Sequence, residues 1–294
     1  MTFVLAHLSD PHIGPLPQPL KRELIGKRLT GYLNWKRRSG IHNMDVLARI
    51  VGDMQAQKPD HIAMTGDILN IGLPAEFPLA RAWLEALGRP HDVSFVPGNH
   101  DAYVPAAMAR IVDTFAPWCA SDGERHTHFP YLRVRGEVAL IGVSSAIPTA
   151  PFLASGRVGP AQRAALEILL RAAGARGLMR VVLIHHPPWR NGATAGRGLR
   201  DARAFEDIIA RCGAELILHG HNHRLLRHDM KGDGRSAPSI GVASASAVPG
   251  TPRHRAAYHL YRITRGGNGW TITARVRGML PGVDAIGDID TFDV

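Results

Sequence analysis

The chain has 294 residues, 45% hydrophobic and 20% charged, enough to bury the core of one large domain or two small ones. Lys and Arg number 35 against 25 Asp and Glu, with 16 His besides, and the sequence pI near 10.3 favours an anionic partner such as a phosphate substrate or an acidic lipid. Two cysteines, Cys119 and Cys212, exclude a disulfide framework and a thiolate zinc site. No apolar run approaches the ~20 residues of a membrane-spanning helix. No charged leader precedes Asp10, so no signal peptide is expected and the expected location is cytoplasmic.

Apolar runs ending in turn residues alternate with helical periodicities from the start of the chain. The first run, 3–6, leads into Asp10-Pro11-His12, and a long basic insertion, 14–43, follows. Val46, Leu47, Ile50, Val51 and Met54 then predict a helix over 44–56, stopped by Pro59. A second run, 61–64, precedes Gly66-Asp67 and a helix over 76–87 closed by Gly88. The third run, 93–96, precedes Gly98-Asn99-His100-Asp101. A strand over 137–144 comes next, then a helix opened by Gly159-Pro160 with Leu166, Leu169 and Leu170 on its apolar face. The fourth run, 181–184, precedes His185-His186-Pro187-Pro188, and a helix over 201–212 ends at Gly213. The fifth run, 216–218, precedes Gly220-His221-Asn222-His223. Strands over 239–248, 257–264 and 270–277 complete the chain, the last two joined as a hairpin by 265–269. Without an internal repeat or a low-complexity linker, a single domain over 1–294 is expected.

Each of the five clusters of metal-binding side chains therefore follows a strand. Ligands of open α/β sheets bind beyond the carboxyl ends of strands, so one sheet edge gathers carboxylates, an amide and imidazoles. Such a donor set suits Mn²⁺, Fe and Zn²⁺. His186, directly after a candidate ligand, is read as a substrate contact or a support for its neighbours. His219, just before Gly220, could hydrogen-bond a ligand and is read as structural, while His42, His61, His126 and His128 lack motif support and are read as ordinary core or surface residues.

The ordered set Asp-x-His, Gly-Asp, Gly-Asn-His-Asp, His-His-Pro and Gly-His-x-His resembles the calcineurin-like metallophosphoesterase superfamily, from Asp10 to His223. The resemblance implies an α/β fold, an αββα sandwich of two mixed sheets flanked by helices, and two divalent metal ions. Carried over motif by motif, Asp10, His12 and His223 hold one ion, Asn99, His185 and His221 the other, and Asp67 bridges both. The implied reaction is attack of a metal-bridging hydroxide on a phosphodiester. His100 would protonate the leaving oxygen or stabilise the phosphoryl charge, and Asp101 would orient His100 and favour its protonated form. Protein phosphatases of the superfamily are expected to carry Gly-Asp-x-x-Asp-Arg-Gly and Gly-Asn-His-Glu. Here Ile-Leu-Asn-Ile-Gly follows Asp67, and the later motif ends in Asp101. The chain thus looks more like the bacterial phosphodiesterases, among them class III cyclic-nucleotide phosphodiesterases and glycerophosphodiesterases. A cyclic nucleotide or related small phosphodiester is the expected substrate. A metal-free binding protein on the same fold is disfavoured, because every ligand position is filled.

The insertion bears on the substrate. Lys21, Arg22, Lys27, Arg28, Lys36, Arg37 and Arg38 stand against a single acid, Glu23. Ile25, Leu29, Tyr32 and Leu33 share a helical face, which predicts a basic amphipathic helix, although Gly26 and Gly31 weaken it by ~1 kcal/mol each. Such a helix serves as a lid, or as an arm lying in an anionic membrane surface. Residues 28–34 and Ala75-Glu76-Phe77 also resemble bacterial metallophosphoesterases that hydrolyse UDP-2,3-diacylglucosamine, which makes an enzyme peripheral to the inner membrane the alternative. Tyr32 and Trp35 could stack bases, but no nucleic-acid module is visible and nucleic acid is not an expected partner.

Overall fold

The computed structural model describes residues 2–38, 40–248, 255–267 and 269–294. Two six-stranded mixed sheets form its frame. The first runs in the order β12 (Ile286–Asp293), β11 (Gly269–Met279), β10 (Ala257–Gly266), β1 (Thr2–Leu8), β2 (His61–Met64) and β3 (Val93–Phe95). The second runs β4 (Tyr131–Arg135), β5 (Val138–Gly142), β6 (Met179–Leu183), β7 (Leu216–His219), β9 (Ser236–Gly241) and β8 (Leu226–Lys231). Strands β1, β2 and β3 are parallel, as are β5, β6, β7 and β9, so the motif-bearing ends point one way within each sheet.

Strand period divides the side chains between two cores. Val181 and Leu183 of β6 and Leu216 and Leu218 of β7 share the main core with Leu5, Met64 and Phe95. Val182 and Ile217 alternate to the outer face, where Leu166 and Leu170 of helix α5 (Pro160–Ala175) and Phe205 and Ile209 of α6 (Ala202–Cys212) cover them. On the other side, α2 (Met44–Ala56), α3 (Glu76–Leu87) and α4 (Pro105–Cys119) bring Ile50, Leu84, Ile111 and Phe115 against the first sheet. The product is the expected αββα sandwich. Among the described residues no helix is long and apolar enough to cross a membrane.

Two differences from the sequence reading matter for the site, and one expectation lies partly outside the described residues. The strand expected over 239–248 leaves the sheet at Gly241; Ser244 turns instead beneath β1, its Oγ donating to the Asp10 carbonyl at 2.7 Å. The hairpin turn expected over 265–269 includes position 268, which lies outside the described residues. The insertion does form a helix, α1 (Lys27–Arg37), but turned about its axis from the expected face. Tyr32 and Trp35 pack on Leu16, Ile71, Leu73 and Tyr103, while Ile25, Leu29 and Leu33 remain exposed. Gly31 is the reason: a Cβ there would lie 2.2 Å from the Tyr103 hydroxyl, so the helix docks through its thinnest side. Arg28 fastens it by donating to the carbonyls of Ile71 and Gly72.

Candidate metal centre

The five motif loops meet where the parallel strands of both sheets end. The Asp10 and His12 amides donate to the carbonyls of Gly66 and Asp67 at 2.9 and 3.1 Å, and the His221 amide donates to Asp10 Oδ2 at 3.1 Å. The backbone there is strained: Asp10, His12, Asp67, His221 and His223 all have positive φ, between 43° and 69°. Side chains other than glycine adopt that region at ~1–2 kcal/mol each, and here surrounding hydrogen bonds over-determine it. Two glycines let the loops close. A Cβ on Gly98 would lie 2.2 Å from Asp67 Oδ1, and one on Gly220 only 1.9 Å from Ser9 Oγ.

Electron-pair donors converge within this ring of loops. His185 Nδ1 lies 2.7 Å from the Thr65 carbonyl, which can only accept, so that nitrogen carries hydrogen and Nε2 turns inward. There Nε2 meets Asn99 Oδ1 at 3.2 Å, Asp67 Oδ2 at 3.3 Å and His221 Nδ1 at 3.3 Å. His221 Nδ1 is itself 2.8 Å from Asn99 Oδ1. Beside this cluster, His223 Nε2 lies 3.2 Å from Asp10 Oδ1, a fully buried oxygen. His12 Nδ1 faces the Leu69 carbonyl at 3.2 Å, leaving Nε2 for the interior. Ligand atoms of Asp10, Asp67 and His185 fall within 4.8 Å of one another.

Lone pairs packed so closely repel unless a cation lies among them. The titration behaviour reports the same field. Burial works against a charged His185, yet Asp67 opposite overcomes it and pushes the imidazole pKa up to about 9. Burial likewise raises the Asp10 and Asp67 carboxyls, but His223 beside the first and His185 beside the second hold both well below the usual range. Burial keeps His12 and His221 neutral, the form that ligates. All seven residues expected as ligands are thus brought together, and their donor chemistry fits divalent cations.

His100 sits at the rim, half-buried, with its amide donating to Asp67 Oδ1 at 2.7 Å and its ring edge-on to His12 at 4.8 Å between centroids. The structure departs from expectation at Asp101. Its carboxylate does not meet His100, whose Nδ1 faces the Asn70 carbonyl. Asp101 instead accepts the backbone N–H groups of Asp67, Ile68, Leu69 and Gly98 at 2.7–3.0 Å. Both oxygens are consumed in clamping the Asp67 loop to the Gly98 loop. Burial accordingly lowers the His100 pKa, the reverse of the expected effect, although Asp67 opposes it. Glu76 repeats the device one turn away, accepting the amides of Asn70, Ile71 and Leu73.

His42 belongs to the site despite its missing motif. Its ring lies 4.4 Å from that of His12 and 5.8 Å from that of His223, and its Nδ1 is 2.7 Å from Ser246 Oγ. With Trp35, Arg38 and Asn70 it lines a cavity of about 310 Å³ that opens onto His12. Its position just after the basic helix was the only available signal. His186 is fully engaged elsewhere, between Ser145 Oγ at 2.8 Å and the Ala154 carbonyl at 3.1 Å, so it supports the ring of His221 beside it.

The family profile described as Calcineurin-like phosphoesterase matches residues 3–225. Glycerophosphodiester phosphodiesterase GpdQ of Enterobacter lignolyticus is 28% identical over 230 residues, 76% of this chain and 72% of the relative. A probable cyclic nucleotide phosphodiesterase of Synechococcus sp. is 27% identical over 227 residues, 76% of this chain and 74% of that one. Among solved structures, a dimetal phosphatase from Danio rerio has a TM-score of 0.63 at 14% identity, over 99% of this chain and 98% of its own. Purple acid phosphatase PPD1 from yellow lupin seeds has a TM-score of 0.60 at 12% identity, over 100% of this chain and 53% of its own. At those identities the two structures share the fold.

Proposed function

We propose that this chain, which belongs to the calcineurin-like phosphoesterase family and is a metal-dependent phosphoester hydrolase, acts on a small phosphodiester such as a cyclic nucleotide. The observation that carries the reading is the convergence of Asp67, Asn99, His185 and His221 beside Asp10, His12 and His223, with His100 left at the open rim. Asp10, His12, Asp67 and His223 would hold one divalent cation, and Asp67, Asn99, His185 and His221 a second, with Mn²⁺, Fe and Zn²⁺ the suitable ions. When bound, such cations supply a nucleophile from water near neutral pH and offset phosphoryl charge.

The chain's own residues do the rest. The Asn70 carbonyl accepts from His100 at Nδ1, so Nε2 is the atom left for substrate, and it is the protonated imidazolium that would give a proton from Nε2 to the leaving oxygen. Asp101 and Glu76 hold the loops at fixed spacing, which keeps His100 in register with Asp67. Trp35, Arg38 and His42 wall the cleft on the side of the basic helix. The same proposal puts the enzyme in the cytoplasm. A second reading, cleavage of the phosphoanhydride of UDP-2,3-diacylglucosamine, is favoured by the exposed apolar side chains of the 21–38 segment beside that cleft.

Hydrolysis of bis(p-nitrophenyl) phosphate and of p-nitrophenyl phosphate, with Mn²⁺ and then with chelator, tests the proposal. Chelator-sensitive cleavage that prefers the diester is expected. Preference for the monoester would overturn the diester assignment, and chelator-insensitive cleavage the metal assignment.

A further inference from the structure

We infer that the 21–38 arm docks the protein on an anionic lipid surface, with the side chains of Leu29 and Leu33 entering the headgroup boundary. Leu20, Ile25, Leu29 and Leu33 are 52%, 73%, 44% and 51% exposed, and Phe152 on the neighbouring loop is 90% exposed. Lys27 ties that loop to the arm, donating to Thr149 Oγ1 at 2.6 Å and to the Leu153 carbonyl at 3.1 Å. Elsewhere among the described residues the exposed large apolar side chains, Ile41, Leu79, Val112, Ile168, Val283 and Ile289, are single residues in separate elements or turns, while Leu153 lies beside Phe152. A contiguous exposed row marks an interaction surface, whereas scattered single residues do not.

Charge identifies the partner. Lys21, Arg22, Lys36, Arg37 and Arg38 edge the apolar row, all exposed, and among the described residues none of them forms an ion pair with an acid. The one acid of the segment, Glu23, accepts the Leu20 amide at 2.8 Å. A second copy would bring the same positive face against itself, and like charges across an interface oppose association. Apolar side chains rimmed by unpaired cations match an anionic lipid interface, where each cation near the surface adds attraction. A cavity of about 590 Å³ at the foot of the arm, lined by Arg22, Ile25, Lys27, Arg28 and Tyr103, provides room for a charged headgroup beside an apolar wall. At its other end the arm contributes Trp35 and Arg38 to the cleft above His12, so docking turns the metal centre toward the lipid.

Co-sedimentation of the full chain with vesicles of phosphatidylcholine, and of phosphatidylcholine mixed with phosphatidylglycerol, tests this. Binding is expected to the anionic vesicles alone, and to fall about tenfold or more in Leu29→Asp/Leu33→Asp. Ile168→Asp, at a still more exposed apolar residue of α5, should bind as wild type. Melting curves establish that each variant is folded. The inference is overturned if anionic vesicles leave the protein in the supernatant, or if Leu29→Asp/Leu33→Asp binds undiminished, which would make the attraction one of net charge. A dimer seen by light scattering and abolished by the same double variant would assign the face to a second copy instead.

Discussion

The Asp101 carboxylate accepts the backbone N–H of Asp67 at 2.9 Å, tying the bridging candidate to the loop that carries Asn99 and His100. Asp101 is fully buried, and burial together with the Asp67 charge pushes its pKa up to about 7, against four backbone amides that favour the anion. Asp101→Asn turns an NH₂ toward two of those donors. A loss of about 3 kcal/mol is expected from buried groups left unmatched, read from urea unfolding, together with weaker metal binding. Unchanged stability with an altered pH–rate profile would restore the orienting role for His100.

His100→Ala removes the proton donor at the rim without touching the inner cluster. Turnover of a diester should fall by ~10²–10⁴-fold with metal content unchanged. Turnover at the wild-type rate would leave His100 without a catalytic role.

Asp67→Ala and His223→Ala take away donors of the inner cluster. Each should lose metal and activity together, measured by elemental analysis of the purified variant beside its rate. A variant that kept full metal occupancy would remove that residue from the ligand set.

His42→Ala probes the residue that only the fold revealed. Its imidazole stands within reach of His12 and His223, so the Mn²⁺ concentration for half-maximal activity should rise about tenfold or more. An unchanged Mn²⁺ dependence with a raised KM would make His42 a wall of the substrate cleft.

Away from the site, Arg277 joins α2 to β11 by donating to both Asp53 oxygens at 2.8 Å, and it also meets Asp288. The hydrogen bond from Arg277 holds the Asp53 pKa below the usual carboxylate range. A depressed carboxylate contributes stability that is full above its unfolded pKa of ~3.9 and is lost as pH falls through the folded value. Asp53→Asn should therefore destabilise by about 1–3 kcal/mol at neutral pH, with the gap to wild type closing below pH ~4. A gap independent of pH would show that packing, not charge, is what the substitution disturbs.

The sequence by itself determined the five strands that lead into the motif loops and the gathering of their side chains at one end of the sheets. Short continuous apolar runs lead into the motifs that carry Asp10, Asp67, Asn99, His185 and His221, and parallel strands bring such ends to one edge whatever else the chain does. Helix α4 was open to the same treatment, since Pro105 at its start and Ala107, Ile111 and Phe115 at four-residue spacing signal it. Tertiary structure alone decided the rest, because a side chain's direction is set by partners far along the chain. His42 enters the site through Ser246, 204 residues away. Asp101 turns from its neighbour His100 to three amides 32 to 34 residues back and to that of Gly98, and these four donors outweigh one imidazole. The arm presents Leu29 and Leu33 to solvent because Tyr103 leaves room only for Gly31, a steric fact that no periodicity contains.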